Sequence, residues 1–145
     1  MMQKTIIKRL RTYFEKDEAL AFVLLFGSHA TGEVHSHSDI DIGLFFEGEP
    51  DYVQAGYHQA KLESVCDRRA DVTVLNDLPK RDPLFAFNIL QHHRIVVCRD
   101  EDRYVRFKTE AQLYYLDHLP LIQANRDALQ KRLRDARTIG ERNYA

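Results

Sequence analysis

Asp39 and Asp41 stand one residue apart in the stretch Asp39–Phe46 (DIDIGLFF), where Ile40, Ile42, Leu44 and Phe46 alternate with them. Alternation of this kind predicts a strand, with the apolar residues on one face and both carboxylates on the other. Two carboxylates so placed are close enough to share a divalent cation. Without one they oppose each other's ionisation. The competing reading is a pair of surface aspartates on the solvated face of an edge strand.

Upstream, Gly27 and Ser28 end an apolar run, Ala19–Phe26 (ALAFVLLF). A residue without a side chain, followed by a small hydroxyl, lets backbone N–H groups approach a phosphate closely. A Gly-Ser pair alone says little, since strand-to-loop turns use these residues for steric reasons. Downstream, Asp71 opens the strand-like run Ala70–Leu75 (ADVTVL). If the strands carrying Asp41 and Asp71 are neighbours, the three aspartates form one cluster. Three carboxylates beside a phosphate-cradling turn suit two-metal, in-line attack at phosphorus. Asp67 and Asp77 compete for the third position.

The elements that must hold these residues follow from periodicity. Ile6, Ile7, Leu10, Tyr13 and Phe14 predict an amphipathic helix near 3–16, and Ala19–Phe26 a strand buried on both faces. Residues 28–32 read as a turn or short helical segment. A helix is expected over Tyr52–Cys66 and a strand over Ala70–Leu75. Beyond Pro79 a helix is expected with Pro83 in its first turn, then a short edge strand at Arg94–Cys98. A long helix from Asp100 to about Leu119 should kink or restart at Pro120 and continue to about Arg137. This order predicts an α/β (α+β) fold, a small mixed sheet flanked by helices. His92 and His93 are read as closing a helix, where cations suit the dipole. His35 and His37 are read as loop residues, His29 as exposed. Tyr114 and Tyr115 read as core.

Whole-chain properties narrow the class. At 145 residues, 44% apolar and 30% charged, the chain supports its own core and is not disordered. A net charge of -1 advertises neither nucleic acid nor an acidic membrane surface, and no direct nucleic-acid binding is expected. Residues 126–142 form a modestly basic tail. Cys66 and Cys98 lack metal-type spacing and suit a reducing compartment. No stretch has the apolar length to span a bilayer and the start has no secretory h-region, so a cytoplasmic location is expected.

Gly27-Ser28, ten intervening residues and Asp39-Ile40-Asp41, within LFGSHATGEVHSHSDIDIGLF, resemble the signature of the polymerase-β nucleotidyltransferase superfamily. With the third carboxylate in ADVTVL and the short chain, the resemblance is to the minimal nucleotidyltransferases. DPLFAFNILQHHRIVVCRD and YVRFKTEAQLYYLDHLPL are similar to the antitoxin subgroup paired with HEPN-domain RNase toxins. The resemblance covers roughly residues 5 to 135. It implies a polymerase-β-like fold with a nucleotidyltransferase core over 1–98 and a helical extension over 99–145. It also implies Asp39, Asp41 and Asp71 as catalytic and metal-binding residues, with two Mg²⁺ ions, and Gly27 and Ser28 as holders of ATP. The implied activity is AMP transfer from ATP onto a tyrosine of a HEPN toxin, silencing it. The alternatives are an antitoxin that acts by binding alone, and a transferase acting on a small-molecule hydroxyl. Thr31 departs from relatives that carry Arg there, leaving backbone, metal and Arg68 or Arg69 to hold the triphosphate.

Overall fold

The computed structural model describes residues 2–27, 30 and 39–144, with side chains over 4–27, 30 and 39–137. Helix α1 (Met2–Phe14) leads into strand β1 (Leu20–Phe26), and strand β2 (Ile40–Phe46) follows. Helix α2 (Tyr52–Cys66) connects to strand β3 (Ala70–Val74). Short helix α3 (Leu78–Arg81), helix α4 (Pro83–Gln91), strand β4 (His93–Cys98) and helix α5 (Glu101–Tyr144) complete the chain.

The four strands lie in the order β3-β2-β1-β4. β1 runs antiparallel to both neighbours, while β2 and β3 are parallel. The central place of β1 explains its unbroken apolar sequence, because helices cover both of its faces. On one face α1 and α2 enclose a core of Leu10, Phe14, Leu62, Ile40, Ile42 and Leu44. On the other, α3, α4 and α5 enclose Phe22, Leu24, Leu75, Ile89 and Phe107. β2 therefore turns Ile40, Ile42, Leu44 and Phe46 toward α1 and α2, and Asp41, Gly43 and Phe45 toward the opposite face, the alternation its sequence predicts.

Helix ends are fixed by aspartates. The side chain of Asp51 accepts from the Gln54 N–H at 3.0 Å, and that of Asp82 from the Phe85 N–H at 3.2 Å, with Pro83 beginning α4. Asp67 ends α2 in the left-handed region, φ 53°. At the far end of β2, buried Asn76 accepts from the Phe46 N–H at 2.8 Å and donates to the Phe46 carbonyl at 3.0 Å, extending the ladder with a side chain. Between α1 and α2, buried His58 donates from Nε2 to Asp17 at 3.0 Å and accepts the Tyr13 hydroxyl at Nδ1, 2.8 Å. The carboxylate fixes that tautomer. Burial, with Tyr57 and Asp17 nearby, raises the Tyr13 phenol above its ordinary value and keeps it a donor.

α5 departs from expectation. It continues through Pro120 to Tyr144 as one helix instead of restarting. Proline removes a single N–H, and its usual acceptor four residues earlier belongs to exposed Leu116, whose carbonyl water can satisfy. The start of α5 is anchored in the core: Tyr104, Phe107 and Ala111 are buried, and Tyr115 stacks on Phe87 at 3.9 Å. Replacing Asn76 with Leu should cost about 3 kcal/mol by stranding the N–H and carbonyl of Phe46. Urea denaturation measures this, and a loss below about 0.5 kcal/mol would deny the bracing role.

Candidate active site

The candidate residues meet at one end of the sheet. Asp41 is opposite Phe26 on β1 and opposite Asp71 on β3, so Asp71, Asp41 and Phe26 form one row across three strands. In-register partners project to the same face, which places both carboxylates on the face covered farther along by α3, α4 and α5. Asp39 lies two residues before Asp41, just ahead of β2, where the Ile40 N–H donates to the Arg69 carbonyl at 2.8 Å. That bond ties the D-x-D segment to the chain entering β3.

Gly27 follows Phe26 directly and holds φ +74°, a left-handed conformation that favours glycine. A Cβ placed there would lie 2.2 Å from Oδ2 of Asp41. Glycine is required twice over, by the backbone angle and by the carboxylate pressed against its α-carbon. The turn continues with the Ala30 N–H donating to the Gly27 carbonyl at 3.1 Å. Ser28, His29, Thr31, His35 and His37 lie outside the described residues.

The electrostatics agree with the geometry. Burial pushes the Asp41 carboxyl above its ordinary value of 3.8, and the negative charges of Asp71 and then Asp39 push it further. The charges of Asp71 and Asp39 are thus both felt at Asp41. Among the described residues, however, no three His, Cys, Asp or Glu side chains are gathered into a metal-holding cage. The donor set still fits a hard cation such as Mg²⁺, which usually takes one or two carboxylates and completes its shell with waters and phosphate oxygens.

The competing aspartates are separated from this row. Asp67 caps α2, and Asp77 sits beyond the other end of β3 with φ 60°. His93 was not legible as a neighbour of the site. It opens β4 opposite Phe26, extending the row by one strand. Its Nδ1 donates to the Leu90 carbonyl at 3.0 Å and its Nε2 accepts from the Tyr104 hydroxyl at 2.6 Å. The first bond reaches back to the last turn of α4, but His93 belongs to β4, and it is His92 that caps the helix. The second depends on a register that no local pattern encodes.

What the fold and the carboxylate row define is a nucleotidyltransferase. Residues 8–102 match the family model described as polymerase beta, nucleotidyltransferase, and the chain belongs to that family. A Methanocaldococcus jannaschii protein described as a candidate protein adenylyltransferase is 28% identical over 75 residues, 52% of this chain and 87% of that protein. Among solved structures, a toxin–antitoxin complex with AMP-PNP superposes with TM-score 0.70 at 23% identity, covering 90% of this chain and 99% of that one. A tri-AMPylated Shewanella oneidensis HEPN toxin in complex with its MNT antitoxin gives TM-score 0.65 at 20% identity, covering 89% and 96%. These likenesses establish the polymerase-β-like fold over most of the chain.

Gly27→Ala should abolish nucleotide transfer and cost about 1–3 kcal/mol of stability, from a left-handed alanine that displaces Asp41. Calorimetry and a transfer assay check it, and an active, equally stable variant would contradict the packing. Asp41 also gives a pH signature. The folded chain holds the Asp41 proton more tightly than the unfolded chain, so this carboxylate opposes folding once pH rises through its folded value. Below 3.8 both states become protonated and the penalty fades. Asp41→Asn should raise the Tm of chelator-treated protein at neutral pH, with the gain shrinking as the solution is acidified.

Proposed function

We propose that the chain is an Mg²⁺-dependent adenylyltransferase antitoxin, transferring AMP from ATP to a tyrosine hydroxyl of a HEPN-domain RNase toxin and so neutralising it. The observation that carries this reading is the row of Asp71 and Asp41, joined by Asp39, against the α-carbon of Gly27. The two solved complexes support the choice of partner and nucleotide, since their descriptions couple an antitoxin of this fold to a HEPN toxin, to AMPylation and to AMP-PNP.

In this reading Gly27 and Ser28 bring backbone N–H groups to the triphosphate. Asp39, Asp41 and Asp71 would hold one or two Mg²⁺ ions, which offset phosphate charge and ease deprotonation of the acceptor hydroxyl. The tyrosine oxygen bonds to the α-phosphorus, and the bond to pyrophosphate breaks on the opposite side. The raised proton affinity of Asp41 suits a group that takes its working, ionised form when a cation is beside it.

The acceptor is read as a protein because of α5. Leu113, Leu116, Leu121, Leu129 and Leu133 are all exposed along it, more apolar surface than a helix facing only water needs. Residues 1–98 then act as the catalytic core and 99–145 as the partner-facing extension, in the reducing cytoplasm. No helix among the described residues is long and apolar enough to cross a membrane. The same exposed leucines favour a second reading, neutralisation by binding alone.

One experiment separates the two. ATP labelled on its α-phosphate is incubated with Mg²⁺, a HEPN toxin encoded beside this chain, and either the wild type or Asp39→Ala/Asp41→Ala. Label should reach the toxin only with the wild type, with RNase activity falling in step. Equal neutralisation by the double variant would overturn the catalytic reading.

A further inference from the structure

A second feature lies one strand beyond the carboxylate row. Between α1 and the exposed edge of β4 runs a groove of about 740 Å³, lined by Lys4, Lys8, Arg11, His93, Arg94 and Tyr104, with no carboxylate among its described lining residues. Lys4, Lys8 and Arg11 follow the four- and three-residue steps that put side chains on one helix face. Arg11 is held in place, its Nε donating to the Val96 carbonyl at 3.1 Å and its Nη2 to the Ile95 carbonyl at 3.4 Å. These neutral acceptors fix the guanidinium without cancelling its charge.

The direction of the groove follows from two contacts. Arg11 meets Ile95 and Val96, and the Arg99 guanidinium donates to the Glu15 carbonyl. α1 and β4 therefore run side by side in the same sense, and Lys4 lies toward His93. His93 is opposite Phe26, which is opposite Asp41. With strands spaced about 4.8 Å apart, the groove begins roughly 10 Å from the Asp41 backbone. Its cations are spread along its length, which answers a series of anions better than a single one. Ile7 and partly exposed Ile95 give it an apolar floor. A basic track with an apolar floor suits linked nucleotides.

We propose that this groove binds the phosphodiester chain of a short oligoribonucleotide. Its role deepens the AMP-transfer reading and rests on it: the groove would hold nucleotides already transferred while another is added. In each addition a ribose hydroxyl of the held nucleotide bonds to the α-phosphorus of ATP. The bond to pyrophosphate breaks, pyrophosphate leaves with the electron pair, and the hydroxyl proton passes to a carboxylate of the site. Binding itself does not depend on that reading. The net charge of -1 gives no sign of the groove, because its cations converge only when α1 packs beside β4.

Fluorescence anisotropy with labelled triadenylate, without ATP, tests the inference. The wild type should bind, and Lys4→Glu/Lys8→Glu should weaken binding about tenfold and lower the salt slope by about 1.4, about 0.7 for each lysine lost. Lys61→Glu on α2 and the transfer-inactive Asp39→Asn/Asp41→Asn should both bind as the wild type does. No binding by the wild type, or no effect of the Lys4/Lys8 change, would overturn it. So would competition by poly-glutamate or tripolyphosphate as effective as that by unlabelled triadenylate. Transfer of the first AMP is scored in a separate assay, so its failure would overturn the function above while triadenylate binding still stood.

Discussion

The contact between the Asp41 carboxylate and the α-carbon of Gly27 is the constraint on which the rest of the site depends. It needs β1 and β2 in a single register, because a slip of one residue would turn Asp41 into the core and Ile40 or Ile42 toward the face that carries the carboxylates. It needs glycine at the end of β1, since any side chain would occupy the carboxylate's place. It also brings Asp41 within reach of the charges of Asp71 and Asp39, an arrangement that costs stability in the protein alone. The apolar strands and two helical layers offset that cost. The fold sustains that mutual repulsion at one end of an otherwise well-packed sheet.

The same sheet sorts the chemistry by side. The carboxylates occupy the β2–β3 half at one end of the strands, and the basic groove follows the β4 edge. Phe26 and His93 lie between them in the row. The His93–Tyr104 hydrogen bond joins β4 to the start of α5, the helix whose later turns carry the exposed leucines. The carboxylate row, the groove and the helix that carries the exposed leucines are thus attached to one element, β1 with its two antiparallel neighbours.

Much of this was legible in the chain itself. Continuous hydrophobicity marked β1 as central, and the alternation in DIDIGLFF separated the carboxylates from the core residues of β2. Asp71 was recoverable because a strand-like run placed it at the right end of β3. Features set by long-range register were not legible. No local pattern places His93 opposite Phe26, or converges Lys4, Lys8 and Arg94 from two distant segments. That α5 would run on through Pro120 without restarting was not legible either, because a proline removes one N–H and the helix bonds on both sides of it decide whether the helix continues. The short helix α3 carries too few residues to show a period.

If the three aspartates and the Gly27 turn form one nucleotide site that works through a cation, nucleotide binding must depend on that cation. Calorimetric titration of AMP-PNP into the protein, with Mg²⁺ and then with chelator, tests it most directly when repeated on Asp41→Asn and Asp71→Asn. Binding should depend on Mg²⁺ in the wild type and lose that dependence in both variants. AMP-PNP binding of equal strength with and without Mg²⁺, unchanged by either substitution, would contradict it.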